Sequence, residues 1–492
     1  MKDGEVLHGA ILSDEKGVLR LDVGGSKPRR LRRIEVAEVL PGEPPLQVPP
    51  RGEAALPATD PAGRLALARF AWSRRLDADA RRLAEAALAI EKDRPAAHAL
   101  LGHVRDEAGA WVAGWPAPWP PAWRTGPRWG ARRARAAGRG GVAGQRALVR
   151  ALEWLRRHQD EDGRLDADGF ALKHCPPEDR CDGVGGGHHG ERTRSVFDGV
   201  TTALAVLAFS GAGSTPVSGG YAGPLRRGLS FCVATVREGG GGFDGIWNLA
   251  FATQAVADVC AAARDPALFD VVRTGVERLE GLQRPDGGWS YVYTVGDVPT
   301  TAAVLTALGL AAQAGVGVHR EVVERALLFL DARVDVVSGR SEYHEGAETK
   351  GYTPTTANAA AALGARAAVG ALAKTPLLGR QIRAISAKRP KWRYAVKEVK
   401  TRDGRKVKAQ IGNLDLYAWT YTAFALAAQG GASWASWRGA LEKALRQGQR
   451  TKGHAAGSWD PVGPYALSGG RAYVTGLGAL MLEMPARYPW PR

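Results

Sequence analysis

Three sets of side chains in this 492-residue chain combine types and spacings that could do chemistry. The first is His174-Cys175-x5-Cys181-x6-His188-His189, which brings thiols and imidazoles into one short stretch. Thiolate and imidazole are the ligands of tetrahedral zinc, although these intervals are not those of a finger. Asp179, Asp182 and Gly185–Gly187 mark the stretch as a loop that could wrap an ion. The plainer reading is a loop over a cavity mouth, with Cys175, Cys181, His188 and His189 as the weak metal candidates. The second set is aromatic: Trp247 beside Asn248, then Tyr291, Tyr293, Tyr352, Tyr417, Trp419, Tyr421 and Tyr473. Aromatic faces hold cations and pack isoprenoid chains, and they also fill cores. The third set is charged. Asp198 with Asp297 or Asp415 could form a carboxylate pair of the kind that cleaves glycosidic bonds. Arg471 with helix N-termini could hold an anionic headgroup such as a diphosphate.

The elements that must position these groups recur along the chain. A helix phrase appears as Arg150-x3-Trp154-Leu155-x3-Gln159-x3-Gly163 and as Gly275-x3-Leu279-x3-Gln283-x3-Gly287-x-Trp289. Arg227-Gly228-x2-Phe231-Cys232 and Arg325-Ala326-x2-Phe329-Leu330 keep its register. After each phrase comes a helix of Ala, Leu, Val, Thr and Gly, marked by Thr201, Phe251, Thr301, Thr356, Thr422 and Thr475 at steps of roughly 50 to 66 residues. A period of this length means stacked helical hairpins. The second helices are apolar all round, as helices buried on both sides should be, whereas the phrase helices carry Arg and Glu on one face. The expectation is a mainly α chain in which residues 145–485 form twelve helices, six inner and six outer, in an α/α toroid. The longest step contains Lys397–Gln410, which reads as an inserted β-hairpin or loop. In a toroid the inner-helix starts share one face, so Trp247, Tyr291, Tyr352, Trp419 and Tyr473 should line one mouth, with Asp297 among the nearest acids.

These repeats resemble the terpenoid-cyclase and protein-prenyltransferase superfamily, where a Lys/Arg-Gly-x2-aromatic-Leu-x3-Gln-x3-Gly-x-Trp phrase links each outer helix to the next inner one. The resemblance covers roughly residues 145–485. Its cyclases protonate an alkene with an Asp from an Asp-x-Asp-Asp-Thr-Ala sequence. The counterpart here is Asp297-Val298-Pro299-Thr300-Thr301-Ala302, in which Pro299 and Thr300 replace the two middle acids. A lone Asp297 at a helix N-terminus is drawn towards its ionised form, and capping is its plainer role. Its prenyltransferases hold zinc with Asp, Cys and His. The counterpart stretches here, Asn413–Trp419 and Gly470–Thr475, offer Asp415 and neither of the other ligands. The resemblance therefore implies the fold while arguing against squalene-type cyclisation, against zinc at that position, and for a chain without a cofactor.

Composition frames the rest. Hydrophobic residues make up 45% and the formal net charge is +17. Arginine clusters at Arg132–Arg139 and the basic stretch Lys388–Lys408 read as solvated loops, since no nucleic-acid motif accompanies them. No transmembrane stretch or signal peptide is evident, so a cytoplasmic location is expected. Four cysteines are too few for a disulfide framework. Residues 1–44 alternate like a small β barrel or sheet, 45–61 form a Pro-rich linker, 62–112 read as tetratricopeptide-like hairpins, and 113–144 as a Trp/Pro/Arg-rich tether that docks on the toroid, 145–492. The expected partner is an apolar small molecule or peptide segment in the cavity, with the N-terminal modules engaging a protein. The leading expectation is a binding protein without cyclase or zinc prenyltransferase chemistry; an isoprenoid-acting enzyme is the alternative.

Overall fold

The structure is a computed structural model that describes residues 10–15, 18–22, 29–32, 53, 56–117, 143–167, 169–181, 197–240, 245–292, 294–347, 353–372, 375–393, 395–400, 406–411 and 414–487. The alternating N-terminal segment forms strands β1 (Ala10–Glu15), β2 (Val18–Asp22) and β3 (Arg29–Arg32), an antiparallel meander. Helices α1 (Pro61–Ser73) and α2 (Asp77–Ile90) then pack as a hairpin against α3 (Pro95–Leu100). The helical spacing of Leu100, Leu101 and Val104 predicts a longer third helix. Instead Gly102, at φ +73, turns the chain into the ribbon β4 (His103–Arg105) and β5 (Trp111–Ala113).

This module sits on the ring rather than beside it. Trp72 meets Phe269 edge to face at 5.6 Å, Arg75 donates to the Ala262 carbonyl at 2.6 Å, and Arg264 pairs with Asp77 at 3.1 Å. Within this module Trp111 stacks on His98, and just beyond it the Trp115 indole donates to the Val369 carbonyl at 2.9 Å. Trp119, Trp123 and Trp129 lie outside the described residues.

The ring begins with α4 (residues 143–157) and a loop holding the short α5 (Phe170–His174). Six inner helices follow, alternating with outer ones: α6 (Asp198–Gly211), α7 (Ala222–Glu238), α8 (Gly245–Ala263), α9 (Pro266–Gly281), α10 (Val298–Ala314), α11 (Arg320–Ala332), α12 (Thr356–Ala368), α13 (Pro376–Ala387), then strands β6 (Ala395–Lys400) and β7 (Lys406–Ile411), α14 (Leu416–Gln429), α15 (Gly431–Gly448) and α16 (Ala466–Arg487). The even-numbered helices α6 to α16 each pack on the next, and α16 packs back on α6, which closes the circle. Every residue of α6 is buried. Outer α9 buries Leu268, Val272, Val276 and Leu279 while Arg273 and Glu277 pair on its wet face. Among the described helices α8 alone has the length and apolarity of a membrane span, and its burial between α6 and α10 accounts for that composition. The long fourth step contains the antiparallel β6–β7 hairpin.

The repeated phrase works as a clip. Gln159 Nε2 donates to the Gly163 carbonyl at 3.0 Å and to the Pro224 carbonyl at the start of α7 at 2.9 Å. Gln283 does the same to Gly287 and to Val322 of α11, both at 2.9 Å. A further copy unrecognised in the sequence, Leu445-x3-Gln449-x7-Gly457-x-Trp459, reaches Gly457 and Ala147 of α4 at 2.8 Å, so the last clip shuts the ring. Gly163, Gly287 and Gly457 hold φ of +91, +88 and +101. A Cβ on them would fall 2.1, 2.5 and 2.3 Å from the carbonyl oxygens of Arg227, Arg325 and Arg150 on the adjoining outer helix. The following Trp289 and Trp459 donate to Leu279 and Leu445 carbonyls, while Thr301 accepts from the Trp289 amide at 2.9 Å. The recurrent threonines thus tie phrase to inner helix.

Gly457→Ala should lower unfolding stability by about 2–4 kcal/mol, from left-handed strain plus a backbone collision. Gly281→Ala, where a Cβ meets nothing, should be neutral or stabilising. Thermal unfolding of both variants checks this; equal midpoints would remove the clip from its role.

Candidate functional site

The starts of the inner helices bring several of the expected residues together. Tyr417 stands with its ring 4.9 Å from Tyr421 and 5.1 Å from Tyr465, and Tyr465 lies 6.1 Å from Trp247. Tyr465 is absent from the sequence-based set. It precedes α16 with φ +62, a strained conformation for an aromatic residue, and its ring occupies the space between Tyr417 and Trp247. Tyr343 is a second such residue, half-buried near Asp297 and Tyr291; loss of solvent first, then these neighbours, raise its hydroxyl far above the usual range. Tyr293 and Tyr352 lie outside the described residues.

Other expected residues have structural work instead. Trp419 packs edge to face on Trp392, which covers Gly448 of α15, so its ring faces the outer layer. Asn248 accepts from the Val200 amide at 3.2 Å and packs on Gly199. Arg471 is almost wholly buried and donates to Ser458 Oγ and Asp460 Oδ1, both at 2.9 Å. Asp460 also takes Arg450 at 2.8 Å, and these cations hold its carboxyl below the usual range against burial. Arg471 therefore spends its charge on the wall of the ring and is not directed to an anionic headgroup.

The three acids take up separate posts. Asp198 accepts from the Ala167 amide at 2.9 Å and pairs with Arg164 at 3.3 Å. Asp415 caps α14 through the Ala418 amide, and burial raises its carboxyl. Asp297 caps α10 by accepting from the Thr300 amide at 2.8 Å and is fully buried. The helix terminus predicts an ionised Asp297. Burial wins, pushing its carboxyl up to about 6 against the pull of Thr300, Ser290 and His344.

Behind the tyrosines, along the ring axis, lies a cavity of about 70 Å³. Leu204, Leu207, Phe251, Leu477, Leu480 and Met484 give it an apolar wall; Tyr417 and Tyr473 stand at the inner-helix starts and Arg487 near the other ends. Arg487 is held there by Glu483 at 2.9 Å and Asp258 at 3.2 Å. Tyr417 Oη is buried without a hydrogen-bond partner among the described residues.

A second constellation forms where the ring closes. Cys175 and Cys181 of the α5 loop converge on His158, at the end of α4, and His454, in the turn before Gly457. Sequence reasoning paired the cysteines with His188 and His189, which lie outside the described residues. Neighbouring His174 turns away to Asp160 at 2.6 Å.

The architecture is that of an α/α toroid. No family model and no curated protein matches the sequence. Similar solved structures include an inactive variant of the alpha-1,6-mannanase GH76A of Salegentibacter sp. HEL1_6 in complex with alpha-1,6-mannotriose, at 14% identity over 70% of this chain and 99% of that one, with a TM-score of 0.44. The type II terpene cyclase MstE from Scytonema is similar at 14% identity over 70% of this chain and 98% of that one, with the same TM-score.

Asp297 titrates near 3.8 when unfolded and near 6 when folded, so the folded state binds the extra proton between those values. Stability should therefore fall as pH rises from about 4 to about 6. Asp297→Asn keeps a capping oxygen without the charge. The variant should match the native chain near pH 4 and exceed it by up to about 3 kcal/mol at pH 7. Denaturant unfolding across that range checks it, and a pH-independent difference would refute it.

Proposed function

We propose that the toroid binds a short apolar chain carrying one polar group, such as a small prenyl alcohol, and does no cyclase or prenyl-transfer chemistry on it. The observation that carries this reading is the axial cavity, apolar on its wall and supplied with one orphaned hydroxyl, that of Tyr417. A space of about 70 Å³ accommodates roughly five water-sized spheres, which suits a chain of a few isoprene carbons and not a folded polyprenyl substrate. Each methylene moved from water into such a wall contributes about 0.8 kcal/mol. A hydroxyl bonded to Tyr417 Oη would add on the order of 1 kcal/mol and set the direction of entry.

The acids support a binding role over turnover. Protonating an alkene calls for a strong acid, and a carboxyl that releases its proton near pH 6 is a weak one. Asp415 and Asp198 are engaged by backbone amides.

Calorimetric titration with 3-methyl-2-buten-1-ol, farnesol and squalene tests the proposal. The five-carbon alcohol should bind saturably and squalene should not. Leu477→Trp, which fills the cavity, should abolish binding with the fold retained, and Tyr417→Phe should weaken the alcohol about tenfold. Binding of the five-carbon alcohol unchanged by Leu477→Trp would place the site elsewhere. Turnover of squalene or geranylgeranyl diphosphate that vanishes in Asp297→Asn would establish the enzymatic alternative.

A further inference from the structure

The seam between the first and last hairpins holds two thiols and two imidazoles gathered as closely as the ligands of one tetrahedral ion. His158 Nε2 and His454 Nδ1 are 3.3 Å apart. Cys175 Sγ lies 3.5 Å from His158 Nε2, and Cys181 Sγ lies 3.7 Å from both imidazole nitrogens. All four ligand atoms fall within 4.8 Å of one another. Zinc bound tetrahedrally at about 2.3 Å to sulfur and 2.05 Å to nitrogen requires edges of about 3.3 Å between nitrogens and about 3.6 Å between nitrogen and sulfur. Four of the six edges stand at those separations before any ion is added, and the two that remain, from Cys175 Sγ to Cys181 and to His454, lie within 4.8 Å.

The surroundings orient the donors. His158 is fully buried, and its Nδ1 lies 2.7 Å from the Trp154 carbonyl. That contact places the ring proton on Nδ1 and leaves the Nε2 lone pair facing the cluster, the usual support of a metal-bound imidazole. Its ring is stacked on Trp154 at 4.0 Å and braced by the edge of Phe170. The turn carrying His454 is fixed by Asp179, which accepts from the His454 amide at 2.6 Å. Cys175 and Cys181 are buried and are not joined as a disulfide.

We infer that His158, Cys175, Cys181 and His454 bind one zinc ion, which staples the first hairpin of the toroid to the last. Two thiolates and two neutral imidazoles make a net neutral site with a divalent cation, and the two thiol protons go to solvent. Four protein ligands leave no open position, so the ion is structural and not a Lewis acid for substrate. This site is separate from the stretches around Asp415 and Arg471 whose missing Cys and His argue against prenyltransferase-type zinc. It is also independent of the proposed ligand in the axial cavity.

The test is elemental analysis of the full chain, expressed with added zinc and dialysed against metal-free buffer. One zinc per chain is expected, and it should be lost in Cys181→Ser and in His454→Ala. The double variant His188→Ala/His189→Ala should keep it. Should the ligand variants fail to fold, the native chain reloaded with cobalt should show the intense visible bands and thiolate charge transfer of a tetrahedral two-sulfur site. Chelation should lower the unfolding temperature of the native chain. A zinc content near zero, a Cys175–Cys181 disulfide in the freshly purified chain, a cobalt spectrum without thiolate bands, or zinc that leaves with His188 and His189 would each overturn the inference.

Discussion

The ring depends on one amide group used repeatedly. Each outer helix runs into a turn whose glycine carbonyl has no partner in the helix, and that turn must be held against the first turn of the next outer helix. A glutamine at that point has two donor hydrogens on one nitrogen, so Gln159, Gln283 and Gln449 can each close their own turn and hold the next outer helix at once. The arrangement works only if the two backbones nearly touch, and that requirement explains the left-handed glycine four to eight residues on. Everything functional is then a consequence of position: the inner helices are forced into a closed bundle, their starts share one face, and the axis is what remains.

Much of this was legible in the residues because it is local. Gln, Gly and Trp at fixed intervals, followed by a helix of small apolar residues, describe one clip and one buried helix completely. The copy at Gln449 escaped notice because its turn is longer, with Gly457 eight positions on. The cysteines were equally visible, but their imidazole partners were not. His188 and His189 are close in sequence, whereas His158 and His454 meet Cys181 only because the ring closes, and closure is a property of the whole period. The register does contain the signal. His158 directly precedes Gln159, His454 follows Gln449, and a closed ring sets those two turns side by side.

The misplaced side chains share a different cause. Trp419 and Tyr417 are two residues apart at the start of α14, so they point to opposite sides of the helix, one to the outer layer and one to the axis. Sequence position gave the right end of the helix without the right side. For Asp297 two ordinary effects oppose each other. The helix terminus favours the carboxylate, burial favours the acid, and complete burial decides.

Closure has a further consequence for motion. Five junctions of the ring are covalent as well as packed, but α4 and α15 are joined only through space, by Gln449 on Ala147 and by the contacts around His158 and His454. A local opening that costs one clip at the seam would cost a clip and a chain rearrangement anywhere else. In the metal-free chain, amide exchange in the turns flanking the seam should therefore report the lowest sub-global opening of the toroid, and zinc held by His158, Cys175, Cys181 and His454 should suppress it. With the inferred zinc in place the circle is fastened at its one non-covalent junction, so metal content and freedom of the ring become linked quantities.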